Sequence, residues 1–114
     1  MIILHFYPVF GAVLTTSHKT ILNEISHAKD SLVSPDDYIA SAGKDARKAQ
    51  IGKVYKMYQK ELKNADAMDF DDLPVYTYIL FRDHPEIRHK YASQFRYVLV
   101  DEYQDTNFAQ HSIV

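Results

Sequence analysis

The sequence predicts a mostly α-helical chain with a small β component, and three observations support this. Apolar residues recur at helical spacing between residues 44 and 63, with lysines between them. Ser34-Pro35-Asp36-Asp37 has the composition of a helix start. The strongest strand pattern is the apolar, β-branched run 95–100, which stops abruptly at Asp101-Glu102.

Composition restricts the class of protein. A chain of 114 residues is a single domain or part of a larger one. It has no cysteine, which excludes disulfides and thiolate metal sites and favours a cytoplasmic location. The net charge of −2 gives no overall basic signal for nucleic acid. Charge is segregated, because residues 43–65 carry seven basic and two acidic side chains, a net of +5, which leaves −7 elsewhere.

The first 14 residues are apolar but are interrupted by His5 and Pro8. A membrane span needs ~20 apolar residues, and the basic residues that open a secretory signal are missing. We therefore expect no membrane partner and predict a short buried strand over residues 2–6.

Caps and apolar faces predict the first three helices. The first covers residues 20–29 and the second starts with Ser34 as its cap, with Gly43 keeping it short. The third is a long amphipathic helix over residues 44–63. The predicted core residues of the first and third helices are Ile21, Leu22, Ile25, Ala28, Ile51, Val54, Tyr55, Tyr58 and Leu62.

Three further helices are predicted. One starts with Asp69 as its cap and runs to Phe81, and Pro74 should cost it one hydrogen bond. The next covers residues 86–93, and the last is capped by Asp105 or Thr106. The acids around the fourth helix suggest a metal cluster, but capping explains them better because no glycine supplies a calcium-loop turn; they are Asp66, Asp69, Asp71 and Asp72.

The chemistry is predicted at Asp101 and Glu102. A strand that is apolar on both faces is typical of a covered parallel sheet, and ligands bind beyond the carboxyl ends of such strands. Mg²⁺ prefers one or two carboxylates plus waters and phosphates. We therefore predict a nucleotide-hydrolase site in which Asp101 holds Mg²⁺ and Glu102 orients or deprotonates the attacking water. An apolar run before Asp-Glu also occurs by chance.

The string Val-Leu-Val-Asp-Glu-Tyr-Gln-Asp-Thr-Asn spans residues 98–107. It resembles motif II, the Walker B box, of the UvrD/Rep-like (PcrA-like) superfamily 1 DNA helicases, and three further segments resemble the same family in the same order. Upstream, residues 25–35 resemble the opening of the family's helical insert domain and residues 54–62 its long helix. Residues 67–73 resemble the return to the ATPase core.

This resemblance implies part of an α/β RecA-like P-loop NTPase core joined to an all-helical insert domain. Residues 20–64 would belong to the insert and residues 65–114 to the first RecA-like domain, while residues 1–19 show no resemblance. The parent would be an ATP-dependent helicase that moves 3′ to 5′ on single-stranded DNA. Its cofactors would be Mg²⁺ and ATP, and its partners single-stranded and junction DNA and the rest of the helicase chain. Gln104 would also serve the nucleotide site.

Some motifs expected of this family are not found in the sequence. A Walker A box needs glycines, a lysine and Ser/Thr, and neither Gly43-Lys44 nor Gly52-Lys53 has the upstream glycine and following hydroxyl. The arginine finger and later motifs are expected beyond Val114. We therefore expect no ATP hydrolysis by this chain alone. The alternative is a non-catalytic, helicase-derived module that contacts DNA or protein; a decayed reading frame is a third possibility.

Two surfaces are predicted to meet partners. The insert domain of the family lies near duplex DNA, which makes Lys48, Lys53, Lys56 and Lys60 candidate phosphate contacts. A solvated helix face explains any single one of them slightly better, and nothing there suggests base readout. An apolar strand without neighbours exposes its faces and edges, so self-association or ordering against another chain is expected.

Overall fold

The computed structural model describes residues 17–114, which form six α-helices and one 3₁₀ turn. In chain order these are α1 (His18–Asp30), α2 (Pro35–Ser41), α3 (Ala46–Asn64), α4 (Asp72–Asp83), α5 (Pro85–Gln94), the 3₁₀ turn η1 (Tyr103–Asp105) and α6 (Phe108–Ile113). The strand predicted over residues 2–6 lies outside the described residues. The mostly helical prediction is confirmed for residues 17–114.

Side-chain caps fix where several helices begin. A side chain accepts a hydrogen bond from the backbone N–H three residues further on at four starts, namely Ser17, Ser34, Asp45 and Asn107. The Ser34 cap was predicted, with Pro35 at the first helical position. The predicted cap of the last helix is wrong. Asn107 takes that place because its side chain and that of Gln110 satisfy each other's backbone N–H groups.

Helices α1, α2 and α3 enclose an apolar core. Its buried side chains are those of Ile21, Ile25, Ala28, Tyr38, Ile51, Val54, Tyr55, Tyr58 and Leu62, with Leu22 and Val33 partly buried against them. The predicted core faces of α1 and α3 are therefore confirmed. The Tyr55 hydroxyl donates to the Val33 carbonyl at 2.9 Å, so this buried phenol is satisfied. The tyrosines of α3 are core residues, whereas Tyr76 on α4 is exposed.

Gly52 sets the approach of α2 to α3. A Cβ at this position would lie 2.6 Å from Cγ1 and 3.4 Å from Cα of Ile39. The shorter distance leaves no room for a methyl group unless the Ile39 side chain or the helix that carries it moves. Gly52 is therefore required by packing, a role the sequence pattern does not reveal.

Helix α4 begins two residues later than predicted. Asp72 is its first residue, so Pro74 stands in the first turn, where backbone N–H groups have no partner within the helix. The expected loss of a hydrogen bond at Pro74 is therefore wrong. Helix α4 contacts α1, α5 and α6, and α6 also touches α1. Ala109 on α6 is fully buried there.

The predicted strand over residues 95–100 is not formed, and no part of residues 17–114 is β-strand. Tyr97 and Leu99 are 91% and 96% exposed. A strand is stabilised by hydrogen bonds to a neighbour, and the described residues offer none. The RecA-like sheet therefore remains a prediction. No helix in residues 17–114 combines the length and the apolar character needed to cross a membrane.

Candidate functional site

The acidic pair, Asp101 and Glu102, lies in an exposed bend between residues 95–100 and η1. Glu102 has φ 48° and ψ 50°, a left-handed conformation that is uncommon for residues other than glycine. Its backbone N–H donates to Asp101 Oδ1 at 2.9 Å. This bond leaves the second oxygen of Asp101 and both oxygens of Glu102 for a ligand, so the pair is accessible, although it does not stand at the rim of a sheet in the described residues.

Gln104, the third predicted nucleotide-site residue, lies within η1. It lines a cavity of about 320 Å³ together with Asn107, Phe108 and His111, among others. The Tyr103 hydroxyl lies 2.8 Å from His111 Nδ1 and ties η1 to α6. Neither member of the acidic pair lines this cavity. Gln104 therefore follows the acids closely in sequence without sharing a cavity with them.

The acidic pair alone suits a magnesium ion that takes most of its ligands from elsewhere. Within residues 17–114, no group of three or more histidine or acidic side chains could hold a metal ion. Two exposed carboxylates match the small protein contribution typical of Mg²⁺ sites, where water and nucleotide phosphates supply the other oxygens. The donor set therefore fits Mg²⁺ bound with a nucleotide and does not fit a site made by protein alone.

The lysines of α3 form a face opposite the core. Lys53, Lys56, Lys60 and Lys63 recur every three or four residues and define what we call the lysine stripe. All four are exposed. Lys63 belongs to this stripe although it was not among the predicted contacts, whereas Lys48 lies outside it, half-buried, with its ammonium 5.3 Å from the centre of the Tyr38 ring. Lys56 also pairs with Asp36 at 2.8 Å.

A cluster of polar side chains, which the sequence patterns did not predict, joins α1, α3 and the start of α4. We call it the Lys29 network, and its members are Lys29, Tyr58, Gln59, Asp69 and Asp72. Lys29 Nζ lies 2.7 Å from Asp69 Oδ2 and 3.0 Å from Asp72 Oδ1. Lys29 is 2% exposed and Asp72 1%. A buried lysine of this kind needs paired charges.

Hydrogen bonds complete the Lys29 network. The Tyr58 hydroxyl donates to Asp69 at 2.8 Å and the Gln59 amide donates to Asp72 at 3.2 Å. Asp69 and Asp72 each accept the other's backbone N–H. The predicted cap at Asp69 is therefore placed too early, because Asp71 is the N-cap of α4 and makes no side-chain cap bond, although Asp69 does accept the N–H of Asp72, the first residue of that helix. One signal was available, since Lys29 directly follows Ala28 on the apolar face of α1.

The electrostatics of the Lys29 network follow from burial and pairing. Burial raises the pKa of Asp69, but the hydrogen bonds from Lys29 and Tyr58 and the lysine charge outweigh it and leave that pKa below its ordinary value. Burial and the neighbouring Asp69 carboxylate raise the pKa of Tyr58 well above its ordinary value. Tyr58 therefore stays a neutral donor and Asp69 an ionised acceptor near neutral pH.

A cavity of about 330 Å³ lies between α3, α4 and the connection from α1 to α2. Lys29 and Asp72 are among its lining residues, as are Tyr55, Gln59 and Arg82. The acidic pair is not among them. This cavity therefore lies beside a stabilising ion network, away from the predicted chemistry.

Comparisons with known proteins identify the family. The family model described as "UvrD/REP helicase N-terminal domain" matches residues 10–114. The chain is 47% identical over 96 residues to the ATP-dependent DNA helicase PcrA of Leuconostoc citreum, which covers 84% of this chain and 13% of that protein. It is 40% identical over 100 residues to the ATP-dependent DNA helicase UvrD1 of Mycobacterium tuberculosis, covering 86% of this chain and 13% of the relative.

A third relative, a probable DNA helicase II homologue of Mycoplasma capricolum, is 40% identical over 99 residues, covering 87% of this chain and 14% of that protein. No solved structure is matched. The chain thus spans about one seventh of the length of the curated relatives that it matches. A family match over most of the chain, with relatives of this similarity, places the chain in the UvrD/REP helicase N-terminal domain family.

Proposed function

We propose that this chain is part of an ATP-dependent DNA helicase, and that it carries the motif II residues of the nucleotide site. The observation that supports this best is the string 98–107 within a chain that matches the helicase family. The whole protein would move 3′ to 5′ along single-stranded DNA. The proposed location is the cytoplasm, where such an ATPase meets both ATP and DNA.

The acidic pair would serve the nucleotide site. Asp101 would hold Mg²⁺ and Glu102 would orient or deprotonate the attacking water, with Gln104 relaying the state of the nucleotide. Bound Mg·ATP would supply the phosphoryl group and the metal's charge stabilisation. Exposure of both carboxylates supports this role, because they lack the buried cationic partner that Asp69 and Asp72 have.

The lysine stripe would contact DNA phosphates. Four exposed lysines on one face of α3 supply positive charge for phosphates without side chains suited to base readout, and Lys56 would exchange its pairing with Asp36 for a phosphate. Single-stranded or junction DNA is the expected partner. This surface also supports the alternative of a non-catalytic DNA-contacting module. The alternative differs from the first proposal only in that the acidic pair takes no part in ATP hydrolysis.

The rest of the helicase chain would be the remaining partner. The sequence has no Walker A box, so it supplies no cradle for the phosphates. The exposed apolar side chains of residues 95–100 would be covered by the neighbouring strands of a RecA-like sheet. The 114-residue chain by itself is therefore proposed to hydrolyse no ATP.

The nucleotide role is tested by turnover in the full-length parent helicase. Glu102→Gln should lower kcat by about 10²–10⁴-fold while Mg·ATP still binds, since only the group that activates water is lost. Glu86→Gln, the same change at an exposed residue of α5 outside this string, is the matched control and should change kcat little. The 114-residue chain should show no turnover. Equal kcat for the parent and its Glu102→Gln variant, or turnover by the short chain, would refute the proposal.

The DNA role is tested by fluorescence anisotropy of a labelled single strand across a salt series. Lys53→Ala and Lys60→Ala should each reduce the slope of log affinity against log salt by roughly 0.7, because each removes one phosphate contact. Lys19→Ala, an exposed lysine on α1, is the control for charge alone. If Lys19→Ala has the same effect as the others, the stripe is an ordinary solvated surface.

A further inference from the structure

The Lys29 network crosses the boundary predicted between the helical insert, residues 20–64, and the ATPase core, residues 65–114. Three members come before this boundary and two after it, namely Lys29, Tyr58 and Gln59, and then Asp69 and Asp72. Lys29 and Tyr58 both donate to Asp69, at 2.7 and 2.8 Å. Gln59 donates to Asp72 at 3.2 Å. These partners are 11 to 40 positions apart in the chain, so the network adds non-covalent ties between two parts that the backbone connects once.

Helix α1, which carries Lys29, packs against elements on both sides of this boundary. It shares the apolar core with α3, and α3 carries the lysine stripe on its opposite face. It also contacts α4 and α6. Helix α6 begins directly after the string 98–107, whose last residue, Asn107, is its cap. Helix α1 therefore lies between the surface proposed to contact DNA and the segment that carries the acidic pair.

Buried charge gives this junction a fixed direction. Lys29 and Asp72 are 2% and 1% exposed, so any rotation that separates them leaves a charge without a partner inside the protein. Apolar side chains of similar volume often give the same stability as a buried ion pair, but they allow several packing arrangements. An apolar set could therefore hold the two parts together equally well, and what the charged set adds is a single orientation.

We propose that Lys29, Asp69 and Asp72 are positioning residues, which hold the lysine stripe at a fixed angle to α4 and the string 98–107 and so transmit DNA contact to the acidic pair. The transmission rests on the proposed function, because that function assigns the two sites. The fixed angle rests only on buried contacts within residues 17–114. Movement driven by ATP requires that DNA contact and hydrolysis influence each other, and a rigid junction between the two sites supplies that influence.

The fixed angle is tested in the 114-residue chain by electron spin resonance distances between two labelled cysteines. Lys60→Cys on α3 and Leu80→Cys on α4 carry the labels, and the chain has no other cysteine. The variant to compare replaces the charged set as a whole, by Lys29→Met, Asp69→Asn and Asp72→Asn together. This neutral set should keep a similar Tm but broaden the distance distribution, because the direction of the junction is lost. An unchanged distribution would overturn the proposal.

A control and a milder variant accompany this measurement. Arg82→Met with Asp83→Asn removes an exposed ion pair of 2.8 Å from α4 and should leave the distribution as it is. Tyr58→Phe removes one hydrogen bond of the network and should broaden the distribution slightly. If the neutral set does not fold, Tyr58→Phe decides, and an unchanged distribution in that variant would count against a fixed angle.

The transmission is tested in the full-length parent helicase by ATP turnover with and without single-stranded DNA. The neutral set should reduce the gain in kcat on adding DNA by roughly 2–30-fold and leave kcat without DNA nearly unchanged. A network that only stabilises the fold would leave this gain intact, and that result would refute the transmission. A parent of natural sequence that hydrolyses no ATP would refute the proposed function and the transmission with it, while the distance distribution would still decide whether the angle is fixed.

Discussion

Two regions of this chain are rich in apolar residues and yet end in opposite environments. In α1 and α3, Tyr58 is 9% exposed, whereas Tyr97 in the segment 95–100 is 91% exposed. A helix satisfies its own backbone, so its apolar face needs only another helix to cover it. A strand needs a neighbour for both its backbone and its faces. Whether an apolar side chain of this chain is buried therefore depends more on the presence of a neighbouring helix or strand than on how hydrophobic the side chain is.

Acidic residues show the same contrast. Asp72 is buried and paired with Lys29 at 3.0 Å, while Asp101 and Glu102 are exposed with no cation beside them in residues 17–114. The buried acid is committed to stability, because it compensates a charge that cannot reach water. The exposed pair is available to a ligand. The acids of the two regions therefore differ in environment, because Asp72 is paired with a buried cation whereas Asp101 and Glu102 are open to solvent.

The largest effect expected in the packed region is that of Asp72→Ala. Removing this acid leaves Lys29 with Asp69, which is partly exposed, as its one carboxylate partner and Gln59 with none, which should cost about 3 kcal/mol of unfolding free energy. Urea denaturation followed by circular dichroism measures it. Asp71→Ala is the control, because Asp71 makes no side-chain cap and no contact with Lys29. Similar losses of unfolding free energy in both variants would show that pairing with Lys29 does not make Asp72 more important than Asp71.

The second effect is Gly52→Ala. The new methyl group would meet Ile39 and push α2 away from α3, at a cost of about 1–3 kcal/mol despite alanine's better helix propensity. Thermal unfolding should show a lower Tm. Lys53→Ala, one residue further along the same helix and exposed, should leave Tm nearly unchanged. A Gly52→Ala variant as stable as the natural sequence would show that the helices separate at no cost.

The third effect separates the two tyrosine environments. Tyr58→Phe removes the hydrogen bond to Asp69 and should cost about 1 kcal/mol. Tyr97→Phe removes an exposed hydroxyl and should cost nothing measurable. Urea midpoints of the two variants give the comparison directly. Equal midpoints would mean that water replaces the Tyr58 hydroxyl without loss.

A fourth, smaller effect is the dependence of stability on pH. Because the folded-state pKa of Asp69 lies below its unfolded value, its contribution is present above the unfolded pKa of ~3.9 and is lost as pH falls towards the folded pKa. Urea midpoints between neutral pH and pH ~3 should therefore decline. Asp69→Asn should be less stable at neutral pH and lose less on acidification. An unchanged acid dependence in this variant would contradict the assignment.

The smallest effect is expected in the exposed segment. Leu99→Ser should change the free energy of unfolding by less than ~0.5 kcal/mol, because the side chain is already in water. Dilute protein must be used, so that association does not contribute. A clear loss of stability in dilute solution would mean that residues 95–100 pack in a way the exposed fractions do not show.

Much of the helical body could be predicted because its signals are local. Ser34-Pro35 marks a helix start within a few residues, and the spacing from Ile51 to Leu62 marks the buried face of α3. The Lys29 network was missed because Lys29 and Asp69 are 40 residues apart. A sequence pattern that covers one helical turn carries no information about contacts between residues 40 positions apart.

The candidate site was predictable in a different sense. The string around Asp101 and Glu102 indicates chemistry through its resemblance to a family, and the comparisons confirm that family. The strand beneath the pair does not form in residues 17–114, because strand formation depends on pairing that the local sequence does not encode. The metal and nucleotide roles of the pair therefore remain predictions.

The shared ion pairs of Lys29 also carry a consequence for how this sequence can vary. A neutral residue in place of Lys29 would leave two carboxylates facing each other, and a neutral residue at either acid would leave the ammonium undercompensated. Tolerated change therefore has to occur at positions 29, 69 and 72 together. Among descendants of this sequence, we expect these three sites to covary, with apolar or amide sets replacing the charged set as a whole.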